Sequence, residues 1–316
     1  MCGECERFVR AASNPRQLAR CFAIFSDSFP RMAKSRRQSA AGRLGLIEPA
    51  RAEIKLVASD MDGTLLDERS RVPQETFDLI RGLTSVGVRF CAASGRRFDT
   101  LQEFFGPVAS SMDFVASNGA QVVVNGILVD REVFSHAALR RLLSVTRRFS
   151  CLHLVVFDRT NSYLLDDPSC YKAEFDKDLP NPIRMEDMPP ASTSIVKASI
   201  FCDHELMDMA YVLSRELDDD FVFAPSGSNW IDVMQRGVSK ATGIEQVMLA
   251  HGVKPDEVMA FGDSMNDYEI LRMVGESCAM GNARYAVKEI AKRVIGTNVE
   301  HAVQREMKEL LDALRR

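Results

Sequence analysis

The stretch LVASDMDGTLLDE, residues 56–68, places two aspartates one residue apart directly after an apolar run. Residues 56–58 have the short apolar pattern of a buried β-strand, and Asp60 and Asp62 follow at its end. Two carboxylates this close repel each other unless a cation neutralises them or one of them holds a proton. The stretch therefore indicates a polar site at the end of a buried strand.

Strands and helices alternate on both sides of this stretch. Strands are predicted over 54–59, 88–94, 113–117, 257–262 and 277–281, and helices over 73–87, 97–106, 239–253, 266–275 and 284–294. Alternation of this kind predicts an α/β fold with a parallel sheet.

Four of the predicted strands stop at a polar residue. These residues are Asp60, Ser94, the pair Ser117 and Asn118, and Asp263. Ligands of an open α/β sheet bind at the carboxyl ends of its strands. A single polar residue at the end of a strand is common, because loops are rich in polar residues. Two aspartates and a serine at such positions together predict a single shared site.

Clustered carboxylates and a nearby lysine favour phosphoryl chemistry. Mg²⁺ prefers oxygen ligands and sits beside phosphate, so Asp60 and Asp263 are candidate ligands, with Asp267 on the same side of a helix start. Ser239 can cap the helix that begins at Lys240, where a cation is unfavourable unless an anion binds in front of it. Alone, Lys240 would be interpreted as a solvated surface residue. With the aspartates, it indicates phosphoryl transfer, in which a carboxylate can attack phosphorus.

These residues closely resemble the motifs of the haloacid dehalogenase superfamily of phosphohydrolases. In chain order the motifs are DMDGT at 60–64, AASGR at 92–96, GVSKATG around Lys240 and GDSMND at 262–267. SNGA at 117–120 and the GVSK context resemble the Cof-like subfamily with a type IIB cap. The resemblance covers about residues 53–300 and implies a Rossmann-like core with an inserted α+β cap domain.

The resemblance also implies a role for each motif residue. Asp60 would be the nucleophile and a Mg²⁺ ligand, and Asp62 the general acid and base, with its backbone carbonyl on the metal. The repulsion between them would be offset by Mg²⁺ and by a proton on Asp62, and an aspartate at this position favours rapid hydrolysis. The residues that bind phosphate would be Thr64, Ser94, the N–H of Gly95, Lys240 and Asn266. Thr64 would also support the turn. Asp263 and Asp267 would complete the metal site.

The domain prediction follows the change in composition along the chain. Residues 1–50 form an N-terminal extension, 51–132 and 227–316 the core, and 133–226 the cap. In the insert, helices are predicted over 135–149 and 204–217, and strands over 152–158, 161–167, 194–201, 220–226 and 229–234. The cap residues that could contact substrate are His153, Tyr163, Tyr171, Lys172 and Trp230, although such residues usually pack or face solvent; Asp232 is given no role.

Charge and cysteine content exclude several classes of protein. The net charge of −4 divides into +5 over residues 1–50 and −9 over the rest, and an acidic body argues against nucleic-acid binding. No apolar run approaches the roughly 20 residues that span a bilayer. The 8 cysteines are interpreted as free thiols in a reducing compartment, and CGEC at 2–5 lacks a second ligand pair for zinc. The extension has the Arg- and Ser-rich content of a transit peptide or a disordered tail.

The expected function is that of a cytoplasmic, Mg²⁺-dependent phosphatase of small phosphorylated metabolites such as sugar phosphates or phosphorylated cofactors. The protein would be a monomer or a weak homodimer. Two alternatives stay open: a phosphomutase, which uses the same four motifs, and a phospho-ligand sensor with residual activity.

Overall fold

Two β-sheets organise the chain in the computed structural model. It describes residues 53–131, 134–158, 160–165, 179, 181–217, 219–226 and 228–316. The predicted N-terminal extension, with CGEC at 2–5, lies outside the described residues, as do Tyr171 and Lys172.

The first sheet has eight strands in the order β14-β13-β12-β1-β2-β3-β4-β5. The six strands from β14 to β3 are parallel, and β4 and β5 are antiparallel additions at one edge. These strands are β1 (Leu56–Ser59), β2 (Arg89–Ala93), β3 (Asp113–Ala116), β4 (Gln121–Val124), β5 (Ile127–Arg131), β12 (Val258–Gly262), β13 (Glu276–Ala279) and β14 (Arg293–Val294). The predicted Rossmann-like core is confirmed.

Helices cover the first sheet because each presents an apolar stripe to it. They are α1 (Gln74–Ser85), α2 (Phe98–Phe104), α5 (Lys240–His251), α6 (Tyr268–Met273), α7 (Tyr285–Ile290) and α8 (Ala302–Leu314). Their buried side chains and those of the strands form one apolar cluster. Ser239 caps α5 by accepting a hydrogen bond from the backbone N–H of Thr242, and Gly252 ends it in the left-handed conformation.

The second sheet is inserted between β5 and α5 and forms the cap. Its order is β10-β11-β9-β6-β7-β8, antiparallel except for the β7–β8 pair. The cap consists of α3 (His136–Thr146), β6 (Leu152–Phe157), β7 (Ser162–Leu164), β8 (Ile183–Arg184), β9 (Lys197–Cys202), α4 (Leu206–Leu217), β10 (Phe221–Ser226) and β11 (Trp230–Gln235). The buried side chains of α3 and α4 join one face of the sheet in a second apolar cluster, so the cap has its own core.

The pairing of β11 moves the predicted domain boundary. A boundary after residue 226 separates β10 from β11, yet β11 pairs with both β10 and β9. The cap therefore extends to Gln235, because these hydrogen bonds tie the strand to the second sheet.

Two segments of the core differ from the predicted elements. The helix predicted over 284–294 ends at Ile290, and Arg293–Val294 pairs with β13 as an edge strand. The chain becomes extended at Ala291, where the N–H of Lys292 donates to Ser277 Oγ. The β4–β5 hairpin was not predicted, although its Asn125–Gly126 turn, with positive φ at both residues, is a strong hairpin signal.

No helix of the described residues is long and apolar enough to cross a membrane. The described cysteines Cys91, Cys151, Cys202 and Cys278 are all buried.

A buried charge cluster lies at the start of β3. Asp113 is fully buried and accepts two hydrogen bonds from the Arg89 guanidinium, at 2.9 and 3.3 Å. His251 Nε2 lies 2.8 Å from the same carboxylate, and the N–H of Asn125 donates to it at 3.0 Å. This carboxylate joins β2, β3, the hairpin turn and the end of α5.

Replacing Asp113 with Ala is expected to destabilise the protein strongly. The change leaves Arg89 without its buried partner, a loss of roughly 3 kcal/mol in the free energy of unfolding. Urea denaturation measures this loss in the free energy of unfolding. The matched control is Asp78→Ala, which breaks an exposed ion pair with Arg81 and should cost less than about 1 kcal/mol. Equal losses in both variants would show that Asp113 is not a structural centre.

Candidate active site

Asp60 is the buried carboxylate of the site. β1 delivers it to the carboxyl edge of the sheet, where its own N–H donates to Phe261 O of β12. The chain then turns sharply at Gly63, which adopts φ +78°. No side chain fits at this position, because a Cβ would lie only 2.6 Å from Asp263 Oδ2. Asp60 therefore lies against the loop after β12, as the strand-end argument predicts.

Lys240 forms the centre of the site. Its side chain is fully buried, and its Nζ donates to Asp60 Oδ1 at 2.5 Å and to Asp267 Oδ1 at 2.7 Å. Burial lowers the pKa of Lys240, but the charges of Asp267 and Asp60 outweigh it and raise the pKa above its ordinary value. The ammonium is therefore a fixed positive charge, and the interpretation of Lys240 as a solvated surface residue is wrong.

Asp267 holds the loop that carries Asp263. Its Oδ2 accepts from the backbone N–H groups of Asp263 and Ser264, both at 3.1 Å, while its Oδ1 accepts from Lys240. Both of its oxygens thus have protein partners. Thr64, grouped above with the phosphate-binding residues, donates its hydroxyl to Asp263 Oδ1 at 3.3 Å instead. Thr64 therefore orients Asp263.

Asp62 lies apart from Asp60 and faces the outside of the site. Its side chain is 53% exposed and accepts two hydrogen bonds from the Arg96 guanidinium, at 2.6 and 2.8 Å. The two aspartates have different surroundings, because the strand ends at Ser59 and the chain turns between them. The Arg96 partner was missed, although it stands in AASGR after the neighbouring strand β2.

The loops after β2 and β3 bring Ser94, Gly95 and Asn118 together. Ser94 is buried, its Oγ accepts from the N–H of Arg96 at 3.1 Å, and its carbonyl accepts from the N–H of Asn118 at 2.9 Å. Ser117 and Asn118 both have positive φ, at 51° and 54°. Backbone of this kind in non-glycine residues is strained and persists where the surroundings hold it.

Asn266 links this loop to the loop after β12. Its Nδ2 donates to Asn118 Oδ1 at 3.0 Å. Two buried polar atoms nearby, Asn266 Oδ1 and Ser117 Oγ, have no hydrogen-bond partner in the described part of the chain. Eight of the predicted site residues thus lie at the carboxyl edge of the parallel strands, and Asp62 lies at its rim. The eight are Asp60, Thr64, Ser94, Gly95, Lys240, Asp263, Asn266 and Asp267.

The carboxylates can hold a metal ion. Ligand atoms of Asp60, Asp263 and Asp267 all lie within 4.8 Å of one another. Burial and the charge of Asp267 raise the pKa of Asp60 well above its usual range, and the same two causes raise that of Asp263 to about 6. Groups placed in this way take up a proton or a cation, and all-oxygen donors fit a hard cation such as Mg²⁺.

A second set of possible ligands lies in the cap. Cys151, Asp203 and His204 are also within 4.8 Å of one another. His204 Nδ1 lies 3.2 Å from Asp203 Oδ1, so two of the three groups already contact each other.

The described cap candidates have structural contacts. Tyr163 donates its hydroxyl to Asp158 Oδ2 at 2.7 Å. His153 is buried in the cap sheet near Phe201, and Trp230 packs edge-to-face on the same ring. These contacts agree with the packing interpretation of all three.

Comparison with known proteins identifies the class. The profile of the haloacid dehalogenase-like hydrolase family matches residues 57–307. The chain is 31% identical over 259 residues to a 5-amino-6-(5-phospho-D-ribitylamino)uracil phosphatase of Escherichia coli strain K12, covering 79% of this chain and 93% of the relative. A Bacillus subtilis strain 168 phosphatase of the same name is 26% identical over 254 residues, with coverages of 79% and 93%.

The solved structures agree on the fold. A haloacid dehalogenase subclass IIB sugar phosphatase superposes with a TM-score of 0.69 at 20% identity, covering 81% of this chain and 98% of that one. The chain therefore belongs to the haloacid dehalogenase-like hydrolase family, as its motifs predict. It is a phosphatase of this type, and its fold is similar to that of the subclass IIB neighbour.

Asp263 makes the metal-free protein sensitive to pH. Its folded pKa of about 6 lies above the ordinary value of 3.8, so the folded state binds the extra proton. That stabilisation is complete below about pH 4 and is lost as the pH rises through about 6. In chelator, the melting temperature of wild type should therefore fall relative to Asp263→Asn between pH 4 and pH 7, as calorimetry can measure.

The control for this prediction is Asp312→Asn, which changes an exposed carboxyl far along α8. Its melting curve should run parallel to that of wild type over the same pH range. Added Mg²⁺ at neutral pH should raise the melting temperature of wild type more than that of Asp263→Asn. Parallel curves for wild type and Asp263→Asn would contradict the buried-carboxylate account.

Proposed function

We propose that the protein is a Mg²⁺-dependent phosphatase that hydrolyses phosphate monoesters of small metabolites through an aspartyl phosphate on Asp60. The contact between the Lys240 ammonium and Asp60 carries this proposal, because it presents a buried carboxylate beside a fixed positive charge. Such a pair suits attack on a phosphoryl group, whose transfer requires mainly positioning and neutralisation of charge.

In the first half-reaction, an Asp60 oxygen attacks phosphorus while the bond from phosphorus to the leaving oxygen breaks. Protonated Asp62 gives its proton to that oxygen, so the product alcohol leaves neutral. In the second half-reaction, ionised Asp62 takes a proton from water, which attacks phosphorus and breaks its bond to Asp60. Phosphate leaves, and the proton on Asp62 restores the starting state.

The carboxylates of Asp60 and Asp263, with the backbone carbonyl of Asp62, would hold Mg²⁺. When bound, the ion supplies neutralisation of the negative charge on the phosphoryl oxygens. Asp267 supports these ligands, since it accepts hydrogen bonds from the backbone N–H of Asp263 and from Lys240 Nζ.

Arg96 positions the acid and base of the proposed reaction. Its two hydrogen bonds fix the orientation of the Asp62 carboxyl group at the rim of the site. Ser94 and the N–H of Gly95 lie at the end of β2, next to β1, and are proposed to bind the phosphoryl oxygens.

The first candidate substrate is 5-amino-6-(5-phospho-D-ribitylamino)uracil, because relatives in two bacteria are named for its hydrolysis. It is a phosphate monoester on a polyol chain, and sugar phosphates share this chemistry. No described contact favours a phosphomutase or a sensor. A mutase would return the phosphoryl group to a sugar, and a sensor would bind phosphate esters without turnover.

The direct test is release of inorganic phosphate from this compound and from a panel of sugar phosphates, with Mg²⁺ present. Excess chelator should abolish turnover while leaving the protein folded by circular dichroism. Asp60→Asn should fold and show no measurable turnover, because an amide does not attack phosphorus. Turnover in Asp60→Asn within tenfold of wild type would make water the nucleophile. Full activity after verified metal removal would exclude Mg²⁺.

Replacing Asp62 with Asn separates the two half-reactions. General acid or base catalysis typically raises the reaction rate about 10²–10⁴-fold, and an aryl phosphate needs little protonation of its leaving group. The variant should therefore release one burst of aryl alcohol, then turn over slowly with phosphate held on Asp60. Rapid-quench measurement of both products shows this. Equal losses for aryl and alkyl phosphates, without a burst, would count against the role of Asp62 as acid and base.

A further inference from the structure

A polar patch on the cap contacts the loops that carry Gly95 and Asn118. Lys197 and Ser199 are two residues apart on β9, and Asp232 of β11 lies directly opposite Ser199. These three side chains therefore share the sheet face opposite the one that α3 and α4 cover. Asp232 and Ser199 are buried.

Each member of the patch has a defined partner. Asp232 Oδ1 accepts from Ser199 Oγ at 3.0 Å, and Asp232 Oδ2 accepts from Asn118 Nδ2 at 3.2 Å. Lys197 Nζ donates to the carbonyl of Gly95 at 2.9 Å and lies 3.6 Å from Asp232 Oδ1. A Cβ at Gly95 would lie only 3.1 Å from Asp232 Oδ2, so glycine permits this approach.

The carboxylate at 232 fixes the direction of two amides. An ionised carboxylate only accepts hydrogen bonds, so Asn118 must turn its Nδ2 toward Asp232. Asn118 Oδ1 then faces Asn266, which must present its Nδ2 as the donor. An amide at 232 would remove this constraint, because it can donate as well as accept.

The same patch holds the peptide groups of the loop after β2. The carbonyl of Ser94 accepts from the N–H of Asn118, so the Gly95 N–H of that trans peptide points the opposite way. Lys197 fixes the next carbonyl, that of Gly95. The cap thus fixes both the orientation of the Asn266 side-chain amide and the conformation of the backbone around Gly95.

We propose that Asp232 and Lys197 are positioning residues of the phosphatase reaction. They act through Asn118, Asn266 and Gly95, and they orient the donors that face the transferring phosphoryl group. The proposal rests on the proposed function, in which the Gly95 N–H binds phosphoryl oxygens, and on the phosphate-binding role that the sequence motifs imply for Asn266. It makes the seated cap a component of the active site, because the donors are aligned only when both cap residues are in contact.

The test compares Asp232→Asn with Asp232→Glu and with Ser199→Ala as matched control. Asp232→Asn should lower kcat roughly 10- to 100-fold, the equivalent of one hydrogen bond to a charged group, while the melting temperature changes little. Asp232→Glu keeps the acceptor-only group and should recover most of kcat. Ser199→Ala removes the other hydrogen bond of Asp232 but leaves the carboxylate in contact with Asn118, and should lose much less kcat than Asp232→Asn.

A double-mutant cycle separates positioning from simple support of the fold. If Asp232 acts through Asn266, Asp232→Asn combined with Asn266→Ala should be no slower than Asn266→Ala alone. Additive losses, or Asp232→Asn equal to wild type in kcat, would overturn the proposal. If Asp232→Asn does not fold, Lys197→Met is tested in its place. The expected result is at least a tenfold loss of kcat, and a loss within twofold would overturn the proposal.

Failure of the proposed function looks different. Wild type would then release no phosphate from any monoester tested with Mg²⁺. An active wild type with an unaffected Asp232→Asn variant would leave the phosphatase function standing and remove only the positioning role.

Discussion

One buried lysine determines how the rest of the site is arranged. Lys240 joins the end of β1 to the loop after β12 by bonding Asp60 and Asp267 at once, and it does so from the first turn of α5. Without its charge, two neighbouring carboxylates would be buried without a counter-charge, which is strongly unfavourable. The capping of α5 by Ser239, the bend at Gly63 and the loop held by Asp267 all serve to bring this contact about.

The site separates its charges by burial. Lys240 and Asp60 are enclosed, whereas Arg96 and Asp62 form a second pair at the exposed rim. In the proposed mechanism, the carboxylate that bonds to phosphorus is thereby kept away from water, and the carboxylate that exchanges protons is kept near it. Two aspartates one residue apart can therefore have different chemistry, because the turn that begins at Met61 points them into different surroundings.

The sequence was a good guide where one segment decides the outcome. Apolar runs ending in Asp60, Ser94 and Asp263 predicted the parallel sheet and its polar edge, and Ser239 predicted the start of α5. It was a poor guide where partners come from distant segments. The bond from Arg96 to Asp62, the pairing of β11 with the cap and the strand at Arg293–Val294 depend on neighbours that no local pattern specifies.

The position of the cap within the chain has a consequence for folding. The central strands β1 and β12 pair across the whole insert, and the ion pair of Lys55 with Glu257 joins residues 202 positions apart. A nascent chain leaving the ribosome can form the β1–β2–β3 half and the complete cap before β12 exists. Closing so long a loop carries an entropic penalty, and contacts between distant residues slow folding. The half-sheet, with its unpaired β1 edge, must therefore stay free of other strands until β12 at Val258–Gly262 has been synthesised.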